Sequence, residues 1–185
     1  ICVPCIGATY YLSPDGSDEA AGTREQPWLS IQKANATLQP GDTAVFLPGE
    51  YPGNIAPETS GDAEAPVVYR SAEPLAAVLT VGSGSAIAPN GRGYISVEGF
   101  RINAGGAGWV SASNCHHLTI QGCVMRNAGP TAVIASSEQV RLIDNVFSKD
   151  RVNGNMWNIL QCSYVLIEGN SFERVGHSPI QITTC

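Results

Sequence analysis

Four stretches decide the fold: YISVEGFRI at 94–102, HLTIQGCVM at 117–125, QVRLIDNVF at 139–147 and YVLIEGNSF at 164–172. Each runs apolar, any residue, apolar, a short turn-forming group, then apolar again. With the second apolar residue as marker, Val97, Ile120, Leu142 and Ile167 fall 23, 22 and 25 residues apart. Short alternating segments at a period near 23 residues, with no helical pattern between them, predict a solenoid of stacked β-coils.

Successive strand residues face opposite sides, so the alternation fixes the interior. The inward columns are Ile95, Leu118, Val140 and Val165; the four markers; Phe100, Cys123, Asn145 and Asn170; and Ile102, Met125, Phe147 and Phe172. Asn145 and Asn170 fall in adjacent coils at a bend, where their amides can bond one another and the turning backbone. GWVSAS from 108, TAVIASS from 131, MWNILQ from 156 and SPIQITT from 178 supply a further strand per coil. Less regular coils at 41–55 and 65–81 bring the expected total to about six.

Composition agrees. The 185 residues are 43% hydrophobic and 14% charged, with 20 Gly and 12 Pro. That balance describes a turn-rich all-β domain and excludes a disordered chain or a helical bundle. With 10 Lys and Arg against 16 Asp and Glu, the net charge is -6, so nucleic acid and anionic membranes are not expected partners. No apolar run reaches the roughly 20 residues that a membrane-spanning helix needs. Residues 1–8 read as a tail and 9–185 as a single domain. Trp28, Ile31, Ala34 and Leu38 at helical spacing predict a capping helix over 28–38, and the coils follow over 41–185.

Between Thr9 and Tyr51 the chain carries YYLSPDGSD, then G-T-x-x-x-P-W, S-I-Q-K-A, PGD and LPGEY. This stretch resembles the N-terminal segment of secreted right-handed parallel β-helix proteins of the pectate-lyase-like superfamily. The resemblance implies a right-handed parallel β-helix with a short N-terminal cap, in a protein of the extracellular space or cell surface. It does not choose an activity, because the same fold serves lyases, epimerases, glycosidases, adhesins and structural proteins.

Lyases of this superfamily neutralise a uronate carboxylate with a cation, Ca2+ if this chain is lyase-like, or with a basic side chain. A Lys, Arg or His then removes the neighbouring proton. Asn103, Asn127, Lys149 and Arg174 are expected in one outward column, with Arg126, Asp150, Arg151, Trp157 and His177 beside it. On that strip Lys149, Arg151, Arg174 or His177 would act as acid or base. Asn103, Asn127, Arg126 and Asp150 would hold substrate, and Trp157 would be a stacking platform. A solvated polar ladder, with Asp150 and Glu173 paired to nearby arginines, accounts for the same residues. His116 and His117 read as solvated turn residues, since strand neighbours point apart, and no metal site is expected. Asn35-Ala36-Thr37 matches a glycosylation sequon.

The six cysteines are Cys2, Cys5, Cys115, Cys123, Cys162 and Cys185. Cys115, Cys162 and Cys185 share one corner column. The last two are a single period apart, which suits a disulfide between neighbouring strands. Cys123 falls in an inward column as a buried thiol. Cys2, Cys5 and Cys115 then remain, with the tail either packing on its own coils or reaching another molecule. An even count in a chain that starts at Ile1 reads as a processed protein of an oxidising compartment. The chain stops at Cys185 in mid-coil, and an open β-stack exposes unpaired backbone. The leading expectation is therefore an extracellular assembly protein that self-associates head to tail through that coil into a filament. The alternative is a secreted carbohydrate-active protein, a polysaccharide lyase or glycan-binding module, with polysaccharide as its partner.

Overall fold

Apolar residues that alternate at a constant period leave water together only if every coil winds about one axis. In a computed structural model of the chain they do so. The structure describes residues 7–127, 129, 132–148, 155–174 and 178–183. Strand β1 (Thr9–Leu12) and helix α1 (Ile31–Thr37) precede β2 (Thr43–Phe46) and β3 (Gly49–Pro52). Five three-strand turns follow. They are β4 (Val67–Ser71), β5 (Ala77–Thr80) and β6 (Ser85–Ile87); β7 (Gly93–Glu98), β8 (Arg101–Asn103) and β9 (Gly108–Ser113); and β10 (His116–Gln121), β11 (Val124–Arg126) and β12 (Ala132–Ala135). The last two are β13 (Glu138–Ile143), β14 (Val146–Ser148) and β15 (Trp157–Leu160), then β16 (Ser163–Glu168), β17 (Ser171–Glu173) and β18 (Ile180–Thr183).

The strands stack into three parallel sheets. Seven strands order as β1-β2-β4-β7-β10-β13-β16, six as β17-β14-β11-β8-β5-β3, and five as β18-β15-β12-β9-β6. An opening turn of β2, β3 and the single bridge from Ile55 to Ile87 underlies the five full ones, which reconciles this count with the six expected. The right-handed parallel β-helix expected from the sequence is the observed fold. Its register is the expected one: Leu118 lies between Ile95 and Val140, Ile120 between Val97 and Leu142, and Met125 between Ile102 and Phe147. Each such side chain, once fully buried, contributes about 1.5–3 kcal/mol.

Left-handed residues turn the corners. At the end of the seven-stranded sheet's long strands, Gly99, Gly122, Asp144 and Gly169 have φ of 70, 60, 52 and 66°. Glycine fills three of these four positions because it adopts that conformation without a Cβ clash. At the start of the same strands stand Tyr94, His117, Gln139 and Tyr164, with φ of 54, 52, 55 and 53°. None is glycine, so this edge holds a column of strained backbone.

At the N-terminal end, α1 lays Ile31 and Ala34 on the stack. It is shorter than the expected 28–38 because Ser30 caps it, its hydroxyl accepting from the Lys33 N–H at 3.1 Å. Trp28 stays extended ahead of the cap, bridged to Leu12 and stacked on Tyr10 at 4.3 Å. Asp18 ties the preceding loop to this cap, accepting from the Leu29 and Ser30 N–H groups at 3.0 and 2.8 Å and from the Ser30 hydroxyl. Partial burial pushes its carboxyl up, but those hydrogen bonds and Lys33 outweigh it and hold the group below the usual carboxylate range. Its stabilising effect is therefore present above the ordinary carboxylate pKa and is lost as pH falls. Asp18→Ala should cost about 1 kcal/mol at pH 7. Urea denaturation should find wild type and variant closer in stability in acid than at neutrality.

The sequon lies in α1, where Asn35 is buried. Its amide donates to the Asn54 carbonyl at 2.9 Å and accepts from the Ala56 N–H at 3.1 Å, so a folded chain has no free amide to glycosylate there. Among the described residues no helix is long and apolar enough to cross a membrane.

Candidate functional site

The alternation that sends Ile95 and Val97 inward sends their neighbours outward, and the outer face of the seven-stranded sheet carries two polar columns. One runs through Ser96, Thr119 and Arg141, the other through Arg70, Glu98 and Gln121. Ser96, Thr119 and Arg141 of the first column and Glu98 of the second floor a groove of about 450 Å³. Its wall is the left-handed edge, where the Tyr94 and His117 rings stack at 4.2 Å with 18° between planes. The Ser96 hydroxyl donates to a Glu98 carboxylate oxygen at 2.7 Å, which leaves the hydroxyl oxygen free to accept. Arg141 is exposed on the floor.

Toward the N-terminal cap the same face holds a second depression of about 370 Å³, bordered by Tyr11, Arg24, Arg70 and Glu73. Arg24 lies 5.9 Å over the Tyr11 ring. Arg70 on β4 and Arg141 on β13 are three strands apart, or about 14 Å along the stack at the usual strand spacing. Among the described residues neither forms an ion pair. A planar guanidinium with that freedom can take a carboxylate through two parallel N–H donors. The face thus offers spaced cations, hydroxyl and carboxylate hydrogen-bonding groups and one aromatic wall.

The strip expected from the sequence lies elsewhere, at the far end of the six-stranded sheet. Asn103 is in register with Arg126 and Ser148, not with Asn127. Ile102, Met125 and Phe147 set that register, and a shift of one residue turns a side chain to the other face. Asn127 and Arg174 occupy the next position, both left-handed at φ 58 and 56°, and the Asn127 amide reaches across to the Asn103 oxygen at 3.1 Å. Lys149, Asp150, Arg151 and His177 lie outside the described residues. Trp157 is no stacking platform. It is fully buried, opposite the small Ala132 and edge-on to Phe147 at 5.1 Å.

The cysteine column is also corrected. Cys115 and Cys162 do share one corner with Ser137, whose hydroxyl accepts from the Cys115 N–H at 3.0 Å. Both thiols turn inward, however, and are free, as is the buried Cys123. The Cys115 thiol donates to the Pro89 carbonyl at 3.1 Å and that of Cys162 to Leu160 at 3.3 Å. Neither forms a disulfide; Cys2, Cys5 and Cys185 lie outside the described residues.

Compared with proteins of solved structure, 95% of the chain superimposes on 43% of the lacto-N-biosidase of family GH136 from Eubacterium ramulus, with a TM-score of 0.70 at 14% identity. A rhamnogalacturonan lyase matches 96% of the chain over 62% of its own, with a TM-score of 0.64 at 12% identity. In sequence, the chain is 44% identical over 70 residues to pectate lyase PEL9 of Emericella nidulans, a stretch that is 37% of this chain and 17% of that enzyme. The fold is the pectate-lyase-like parallel β-helix. No protein-family model matches the chain. This β-helix spans less than two thirds of the length of the relatives named, and at these identities the structural likeness carries the fold alone.

Proposed function

We propose that this β-helix is a carbohydrate-active protein that holds an acidic polysaccharide across the coils, on the outer face of its seven-stranded sheet. The observation that carries the reading is the placement of Arg70 and Arg141 on one open face with the Tyr94–His117 wall between their strands. A polymer with regularly spaced carboxylates would meet the arginines, and a sugar ring would pack against the aromatic wall. The matches to a pectate lyase and a rhamnogalacturonan lyase support an acidic polymer as the ligand, and Arg141 would pair with its carboxylate. They support this reading more than the filament subunit expected first from the sequence. Such polymers are met outside the cytoplasm, so the proposal includes export.

Affinity electrophoresis and calorimetry with polygalacturonate, alginate and a neutral glucan test it. An acidic polymer should bind in a salt-sensitive manner and the neutral one should not. Arg141→Ala and Arg70→Ala should each weaken binding roughly tenfold, the loss of about 1.4 kcal/mol from one charge-assisted pair. Equal affinity for the neutral glucan, or arginine variants that bind like wild type, would overturn the proposal.

A further inference from the structure

The two adjacent histidines do not point apart. His117 has φ of 52°, and this left-handed turn breaks the alternation that would have sent its ring away from that of His116. The two Nδ1 atoms instead face one another at 3.3 Å. Both rings are held. His117 lies flat on Tyr94 at 4.2 Å, and His116 stands edge-on to the same ring at 5.0 Å. His116 also sits over Gly93, its partner in register on the neighbouring strand, where an added Cβ would fall 2.0 Å from the imidazole Cε1. Glycine at that position makes the seat in which the ring rests.

We infer that His116 and His117 form a binding site for a divalent transition-metal ion of the zinc class, chelated through the two Nδ1 nitrogens. At the usual metal–nitrogen distance of about 2.05 Å, nitrogens 3.3 Å apart subtend about 107°, close to the tetrahedral angle. Neutral imidazole favours zinc, copper and nickel over calcium and magnesium, which prefer oxygen. Among the described residues no third His, Cys, Asp or Glu completes a set with them, so the remaining positions belong to water or to a ligand oxygen. His117 lines the groove and His116 the trough at the adjoining corner, which places those open positions at the groove's edge. The site needs neither arginine, so it stands or falls apart from the polysaccharide reading.

Calorimetry with zinc and with calcium, on protein whose accessible thiols have been alkylated, tests the inference. Alkylation removes any accessible thiol as a competing ligand. One zinc per chain should bind and calcium should not. His116→Ala and His117→Ala should each weaken zinc at least tenfold. Gly93→Ala, which fills the seat while leaving both imidazoles in the chain, should weaken it too with an unchanged circular dichroism spectrum. Absence of zinc binding to wild type, or undiminished binding when both histidines are replaced, would overturn it.

Discussion

Replacing Asn145 with alanine should lower the unfolding free energy by roughly 2–4 kcal/mol, although the residue touches no groove and no surface. Asn145 is fully buried at the bend between β13 and β14. Its Nδ2 donates to the Ile120 carbonyl at 2.9 Å and to the Asn170 Oδ1 at 3.0 Å, and its Oδ1 accepts from the Cys123 N–H at 2.9 Å. Alanine would leave that N–H buried without a partner and take a side-chain donor from that carbonyl, and the loss of a satisfied buried pair costs more than the bond itself contributes. Asn170 repeats the device one coil on, donating to the Leu142 carbonyl at 2.7 Å and accepting from the Asn145 N–H at 2.9 Å. There the side chain is half-exposed and water can replace it, so Asn170→Ala should cost about half as much. Urea denaturation at neutral pH measures both. A loss below about 0.5 kcal/mol at Asn145 would mean that the ladder does not brace the bend.

That ladder was legible in the sequence, as were the core columns, because period and alternation together leave one way to bury Ile95, Leu118, Val140 and their neighbours. The outward columns of Ser96, Thr119, Arg141 and of Glu98 and Gln121 follow from the same rule. What failed did so where alternation stops. Asn103 was placed one residue out because it lies at the end of β8, past the last apolar marker. Trp157 follows the long connection after β14, across which no parity can be carried, and it proved to be core. The cysteine spacing gave the column shared by Cys115 and Cys162, but not the rotation that turns both thiols inward. His116 and His117 do not point apart as alternation requires, because a left-handed φ at a non-glycine residue leaves no mark in an apolar pattern. The groove wall and the histidine pair both arise from that one backbone feature, repeated at Tyr94 and His117.

In alkali the fold should lose stability steeply from about pH 8.5, and Cys123→Ala should flatten the loss. Burial pushes the Cys123 thiol up to about 12, the neighbouring backbone hydrogen bonds offsetting only part of the cost. Cys115 is raised for the same reason. An unfolded cysteine ionises near pH 8.5, so between there and about 12 the unfolded chain has released a proton that the folded chain still holds at Cys123. Stability from this group is fully present below about pH 8.5 and is lost as pH rises, by about 1.4 kcal/mol per pH unit, or about 2 kcal/mol by pH 10. Tyr51 and Tyr69, both raised by burial, extend the loss above the ordinary tyrosine pKa of about 10. Cys123→Ala leaves a small void whose cost is the same at every pH, so it lowers the whole curve while removing one proton from its slope. Denaturation midpoints at several values between about pH 7.5 and about pH 10.5 separate the two effects. Parallel curves for wild type and variant would mean that Cys123 reaches solvent and ionises in the folded state, contrary to the closed interior that the stacked coils build around it.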